Sequence, residues 1–316
     1  MKLLILCLAI IFVVVAAVTI VFFNFAIVGK RLSTENAIKR AKTHKVYKTY
    51  ADRIVSGIEW ISSCNQRQVE IRSYDNLRLF GRLIEAEEKS LNTVILFHGW
   101  TSIGLFDFSC IVKMYHENGF NVLMPDQRAH GISEGKYTCF GVKERYDVIE
   151  WVNYVVSLYG EKSKIVIEGI SMGASTVLMA LGLNSLSPCV KGVIADCGFT
   201  SAAEQFKHVL KEDYHMPPFP FLYTTNFLSR IFADFSFFDV NAAEEVKKSE
   251  LPLLIIHGEG DNFVPIKFGR KIYEASASKN KQIITVKDAK HGMSYLDDEE
   301  RCRSILLGFL KSIFNK

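Results

Sequence analysis

Gly169-Ile170-Ser171-Met172-Gly173 is the stretch where residue type and spacing first suggest a reaction. Serine between two glycines suits a sharp turn that lifts its hydroxyl clear of the chain. The glycines let neighbouring backbone close in around a strained residue. The apolar run Ile165–Ile167 ends just before this motif, and a helical pattern over Ala174–Leu181 follows it. The motif alone is weak, and its placement between a strand and a helix strengthens it. A serine hydroxyl attacks a carbonyl only when a base removes its proton, and the base needs an acid to orient it.

Two downstream loops offer those partners. Asp261 follows the apolar run Leu253–Ile256 in His257-Gly258-Glu259-Gly260-Asp261. His291 follows the run Ile283–Val286 in Lys290-His291-Gly292. Asp196, at the end of Val193–Ala195, and Glu259 are rival acids. Catalytic groups of open parallel sheets gather at the carboxyl ends of the strands, which is where these loops lie. His44, His116, His208 and His215 form no metal-binding spacing and suit surface positions.

The elements that must position these groups follow from hydrophobic pattern. Val69–Arg72 and Leu77–Phe80 alternate, which predicts an antiparallel hairpin turning at Asp75-Asn76. Thr93–Phe97, Val122–Met124, Ile165–Ile167, Val193–Ala195, Leu253–Ile256 and Ile283–Val286 are short apolar runs of the kind found in buried parallel strands. Helical patterns fall between them at Phe108–Asn118, Gly141–Leu158, Ala174–Leu181, Lys267–Ala275 and Asp297–Phe314. Strand–helix alternation predicts an α/β sheet covered on both faces. Residues 201–249 break the alternation. They carry Pro217, Pro218 and Pro220 and ten aromatics from Phe206 to Phe238, and they read as an inserted helical cap.

From Leu3 to Val28 the chain has no charge. As a helix this run is about 39 Å long, more than the roughly 30 Å of a hydrocarbon core and longer than the apolar part of a secretory signal. The length favours an uncleaved anchor over residues 1–29, with a cleaved signal as the alternative. A lipoprotein reading through Cys7 lacks the usual small residue before the cysteine. Lys30, Arg31, Lys39, Arg40, Lys42, Lys45 and Lys48 follow the run, and this excess predicts that the main body is cytoplasmic. Seven cysteines without a paired spacing agree with that side, and an exported form is the alternative. Residues 30–65 read as a basic, largely helical connector, either solvated or lying along the membrane surface. With 49% hydrophobic and 23% charged residues and a net charge of +4, the chain is neither disordered nor a concentrated nucleic-acid-binding surface.

Four blocks taken together resemble the α/β-hydrolase superfamily, from about Gln66 to the C-terminus. They are His98-Gly99-Trp100, Asp126-Gln127-Arg128-Ala129-His130-Gly131-Ile132-Ser133, Gly169–Gly173, and Asp261 with His291. The second block is similar to an element of the branch with monoacylglycerol lipases and serine aminopeptidases, except that Ala129 stands where glycine is usual. The resemblance implies an eight-stranded, mostly parallel sheet in residues 66–316. It implies Ser171 as nucleophile, His291 as base and Asp261 as its orienting acid. The backbone N–H groups of Trp100 and Met172 would form the oxyanion hole, with His98, Gly99, Asp126, Arg128 and His130 supporting that loop.

A serine nucleophile points to ester, thioester or amide cleavage. Anchor and aromatic cap together predict an apolar, lipid-like acyl substrate. A peptidase or amidase on the same triad is the alternative, with Glu204, Glu212 and Asp213 as candidates for holding an amino terminus. A non-catalytic scaffold is the third reading. No cofactor, metal or nucleic-acid partner is implied, and the oligomeric state is open.

Overall fold

The computed structural model describes residues 1–314. Eight strands form one sheet: β1 (Gln66–Arg72), β2 (Arg78–Ile84), β3 (Asn92–Phe97), β4 (Asn121–Pro125), β5 (Lys164–Ile170), β6 (Val190–Asp196), β7 (Leu253–Gly258) and β8 (Lys281–Val286). Their spatial order is β1-β2-β4-β3-β5-β6-β7-β8. β1 and β2 are an antiparallel hairpin in register from Gln66 opposite Ile84 to Arg72 opposite Arg78. β2 also runs antiparallel to β4, and β4 through β3 to β8 are parallel. The hairpin turns at Asn76, whose φ is +68°, and the Ser73 hydroxyl accepts the Leu77 N–H.

Thirteen α-helices accompany the sheet among the described residues. Those before the nucleophile motif are α1 (Lys2–Ala26), α2 (Thr34–Thr43), α3 (Ala51–Ser63), α4 (Gly104–Asp107), α5 (Val112–Glu117) and α6 (Glu144–Tyr159). The rest are α7 (Met172–Ala180), α8 (Ala202–Glu212), α9 (Pro218–Phe232), α10 (Ala242–Glu245), α11 (Ile266–Ala275), α12 (Ser294–Asp297) and α13 (Glu299–Phe314). Side chains alternate across each strand. In β3, Ile95 and Phe97 join the core under α6 and α7, while Val94 and Leu96 join the core under α3, α5 and α13. The sheet is therefore buried on both faces, as its continuous apolar runs require.

Residues 30–65 are not a free connector. Ser33 caps α2 by accepting the Asn36 N–H, and Ala37 and Ala41 of α2 are fully buried. On α3, Ile54, Ile58 and Ile61 form one buried face at helical spacing. Each is worth about 1.5–3 kcal/mol of transfer free energy when fully buried. Gly57 on α3 lies so close to the turn at Ser109 that a Cβ would sit 2.2 Å from the Ser109 carbonyl oxygen. That turn separates α4 from α5, so the helix expected over Phe108–Asn118 begins only at Val112, and the separate short helix α4 precedes it.

The apolar N-terminal run forms one long helix, α1, which is a candidate membrane span. Its first part is exposed, and its last turns dock. Phe23, Ala26 and Ile27 are buried, and the Thr19 hydroxyl meets that of Thr224 on α9 at 2.6 Å. The chain leaving α1 pairs with residues 136–138: the Gly29 N–H donates to the Lys136 carbonyl and the Thr138 N–H to that of Ile27. Between β6 and β7 there are only helices, α8 to α10 and a short 3-10 turn. Its aromatics divide. Phe235 and Phe237 are buried, with Phe206 stacked on Phe237, whereas Phe219, Tyr223, Phe227, Phe232 and Phe238 are exposed.

Two glycine substitutions test this packing. Gly57→Ala overpacks the α3 contact and is expected to destabilise by about 1–3 kcal/mol. Gly308→Ala lies in α13 with no atom within 4 Å of the new methyl and is expected to stabilise by about 0.5–1 kcal/mol. Urea unfolding midpoints of the two variants should move in opposite directions.

Candidate active site

β5 carries the chain to the edge where the parallel strands end, and Ser171 reverses it into α7. Ser171 has φ +56° and ψ −117°, a backbone conformation that costs a non-glycine residue about 1–3 kcal/mol. The turn exists because its neighbours lack side chains. A Cβ on Gly169 would sit 2.2 Å from the Gly173 backbone, and one on Gly173 only 1.9 Å from the Phe97 carbonyl oxygen. The Ser171 N–H donates to the Asp196 carbonyl at 2.8 Å and fixes the turn from the side of β6.

β7 and β8 bring the other two groups to the same edge. His291 Nε2 lies 2.8 Å from Ser171 Oγ, and His291 Nδ1 lies 2.7 Å from Asp261 Oδ2. With Nδ1–H donating to the carboxylate, Nε2 is free to accept the serine proton. The other Asp261 oxygen accepts the N–H groups of Phe263 and Val264 at 3.0 and 2.8 Å, so the buried carboxylate cannot rotate away. The rival acids do not reach His291 by hydrogen bond. Glu259 accepts from the Thr285 hydroxyl. Asp196 is buried, with one oxygen lacking a hydrogen-bond partner, and burial beside Glu168 and Asp261 pushes its carboxyl up to about 8. His257 is buried and held neutral by that burial. It donates to the Val264 carbonyl and props the Asp261 loop.

The turn at His98-Gly99-Trp100 faces the serine. A Cβ on Gly99 would lie 3.3 Å from Ser171 Cβ. The Trp100 N–H has no hydrogen-bond partner among the described residues, and Met172 begins α7, whose first N–H groups lack helical partners. Two buried histidines tie this turn to the loop after β4. His98 Nε2 accepts the Gln127 N–H at 3.0 Å, and His130 Nε2 accepts the Thr101 N–H at 3.1 Å. Both rings must be neutral to accept, and burial lowers His98 to about 4 and His130 to about 3. Arg128 is buried between Asp147 at 2.7 Å and Asp75 at 2.9 Å, and so links the loop to the β1–β2 turn. Asp126 accepts the Ile132 N–H, and burial raises it to about 6. Gly131 is required there, since a Cβ would sit 2.1 Å from the Asp126 carboxylate. Ala129 takes φ +63°, where the usual glycine would be unstrained, and Gly29 packs against its methyl and carbonyl.

Two cavities meet at Ser171. One, about 450 Å³, also reaches His291 and is lined by Arg40, His44, Tyr47, Asn262 and Lys290. The other, about 420 Å³, is apolar and is walled by Phe22, Phe25 and Ala26 of α1, Phe206 and Leu210 of α8, and Leu222 of α9. Sequence reasoning missed these walls from residues 22–47, because nothing local ties them to a site more than a hundred residues downstream. It also missed Asp107, which accepts the Gly99 N–H at 2.7 Å and the Ser102 hydroxyl at 2.6 Å. A carboxylate eight residues after a Gly turn was the available signal.

His98 gives a pH prediction. Its folded value lies below its unfolded value of about 6.5, so the unfolded chain binds the extra proton as pH falls from about 6.5 to about 4. This contribution therefore weakens folding in that window, while Asp196 and Glu168, whose values are raised, act in the opposite sense. His98→Gln should be less stable than wild type at pH 7.5, and the gap in unfolding midpoint should narrow as pH drops toward 4.

Comparison with known proteins bears on the fold. Residues 92–236 match the family model described as alpha/beta hydrolase fold. YqkD of Bacillus subtilis is 27% identical over 95% of this chain and 94% of its own length. The yeast membrane protein YNL320W is 24% identical over 71% of this chain and 72% of its own. The Pyrococcus furiosus esterase Pf2001 superposes with a TM-score of 0.66 at 28% identity, covering 81% of this chain and 93% of the esterase. The sheet order, the strained serine turn between β5 and α7, and these likenesses together show that the chain has the α/β-hydrolase fold.

Proposed function

We propose that the protein is a membrane-anchored serine hydrolase that cleaves carboxylic esters with an apolar, lipid-like acyl group. The observation that carries this reading is the continuous hydrogen-bonded chain from Ser171 Oγ through His291 to Asp261. Ser171 Oγ attacks the ester carbonyl carbon while His291 Nε2 takes its proton. The carbonyl oxygen becomes an oxyanion, bound by the N–H groups of Trp100 and Met172. The bond to the leaving alkoxide breaks as His291 returns the proton to it, which leaves an acyl group on Ser171. Water, deprotonated by His291, then releases the acid and restores the hydroxyl. Asp261 holds the imidazole and stabilises its cation.

The apolar cavity beside Ser171 supports an acyl chain as the group it accepts. The exposed apolar length of α1, and the membrane assignment in the name of the yeast relative, support an anchor. The basic residues after α1 support a cytoplasmic body. The peptidase reading gains less. Of the carboxylates named for holding an amino terminus, Glu204 is already engaged by Lys271 and the Thr200 hydroxyl.

Kinetics on p-nitrophenyl esters of increasing chain length test the proposal. Ser171→Ala should remove hydrolysis to background. Asp261→Asn should lower kcat by about 10⁴, through loss of the imidazole's productive tautomer. Asp196→Asn should retain most of the activity, because Asp196 does not hold His291. Medium or long acyl chains should give higher kcat/KM than acetate. Equal losses in Asp261→Asn and Asp196→Asn, or an optimum at acetate, would contradict the assignment.

A further inference from the structure

We propose that α9 forms a second membrane contact, its outer face seated in the lipid bilayer beside α1. The proposal rests on reading α1 as a membrane span. Its argument is one of length. The part of α1 free of the body runs from Leu3 to Val14, where every residue is exposed. Those residues reach about 18 Å at 1.5 Å each, against a hydrocarbon core of roughly 30 Å. A crossing therefore needs about eight more residues, to Phe22. Within that stretch α1 is already packed on the body: Thr19 bonds to Thr224 of α9, and Phe22 meets Tyr214 edge-on at 5.0 Å. Whatever flanks Thr224 is drawn to the same depth.

The outer face of α9 has the chemistry for that position. Six of its residues are exposed: Phe219, Tyr223, Phe227, Arg230, Ile231 and Phe232. Tyr223, Phe227 and Ile231 repeat every four residues and so share one face, with exposures of 53%, 60% and 56%. Phe219, 73% exposed, and Phe238, which stacks on Tyr223, extend it. Arg230, the one charge, comes near the helix end. The direction also agrees. Thr224 touches Thr19, and Phe232 touches Phe23 further along α1, so the N-terminal half of α9 lies deeper than Phe232. Past the end of α1, Lys30 sits 3.9 Å above the Phe25 ring, a cation–aromatic pair suited to the headgroup level. The opposite face of α9, Leu222 and Thr225, lines the apolar cavity at Ser171. The cavity thus lies one helix thickness from the bilayer, and an ester with a long acyl chain reaches it without crossing water.

The test uses full-length protein in phosphatidylcholine vesicles, with a photo-cross-linking benzoylphenylalanine placed singly at Phe12, Phe227 or Leu91. Leu91 is exposed before β3, at the opposite edge of the sheet. Lipid adducts at Phe12 and Phe227 of similar yield, with Leu91 at background, are expected. Tyr223 carries the same expectation should the Phe227 variant fail to fold. Adducts at Phe12 with neither α9 position above background would overturn the α9 contact while leaving the anchor. No adduct at Phe12 would overturn the anchor and the α9 contact with it. A Phe227 cross-link to a second copy of the chain would assign the face to a protein interface instead.

Discussion

The backbone at Ser171 is the constraint on which the rest of the site depends. A residue with a side chain is held at φ +56° because β5, α7 and β3 approach within distances that only glycine at 169 and 173 permits. That close approach, with the bond from Ser171 N–H to Asp196, supplies the rigidity that offsets the local strain. Everything else at the edge is placed relative to this turn. His291 can bond Ser171 Oγ only because β7 and β8 end at the same level, and Gly99 brings the His98–Trp100 turn against the serine. Function here is a property of the strand ends, and the layered core behind them exists to keep those ends in register.

The second organising feature is a polar interior with its charges resolved. His98 and His130 are buried as neutral acceptors of backbone N–H groups, and Asp107 receives Gly99 and Ser102. Arg128 is buried with two carboxylates and joins its own loop to the β1–β2 turn and to α6. Such groups stabilise weakly when intact and cost far more when one partner is removed, so they specify one loop geometry rather than add bulk stability. In the proposed mechanism, this fixed geometry would hold the N–H groups of Trp100 and Met172 in place for an oxyanion.

Much of this was legible in the sequence, for physical reasons. Ser171, Asp261 and His291 stand beside apolar runs and glycines, and the chemistry demands those types at strand ends. The hairpin and the buried strands follow from periodicity. The sheet order was not legible locally: nothing in Val122–Met124 says that β4 lies between β2 and β3. Residues 30–65 look solvated because most of α2 is polar or charged, yet Ala37 and Ala41 are the buried positions, and small side chains let the helix lie close. The ten aromatics between Phe206 and Phe238 could pack the cap or line a pocket, and composition is silent on which do which. The structure divides them by helix face, which composition cannot show.

The N-terminal helix, the helices between β6 and β7, and the candidate site form one unit. The last turns of α1, the candidate membrane span, also wall the apolar cavity, and the Trp100 indole N–H donates to the Ala26 carbonyl at 3.1 Å. The end of this helix is therefore part of the pocket wall. The most direct test of the central claim is reaction of the folded protein with a fluorophosphonate, followed by peptide mass mapping. The account predicts a single stoichiometric adduct on the peptide containing Ser171. Well-folded protein that takes up no phosphonate, or takes it up at a different residue, would contradict it.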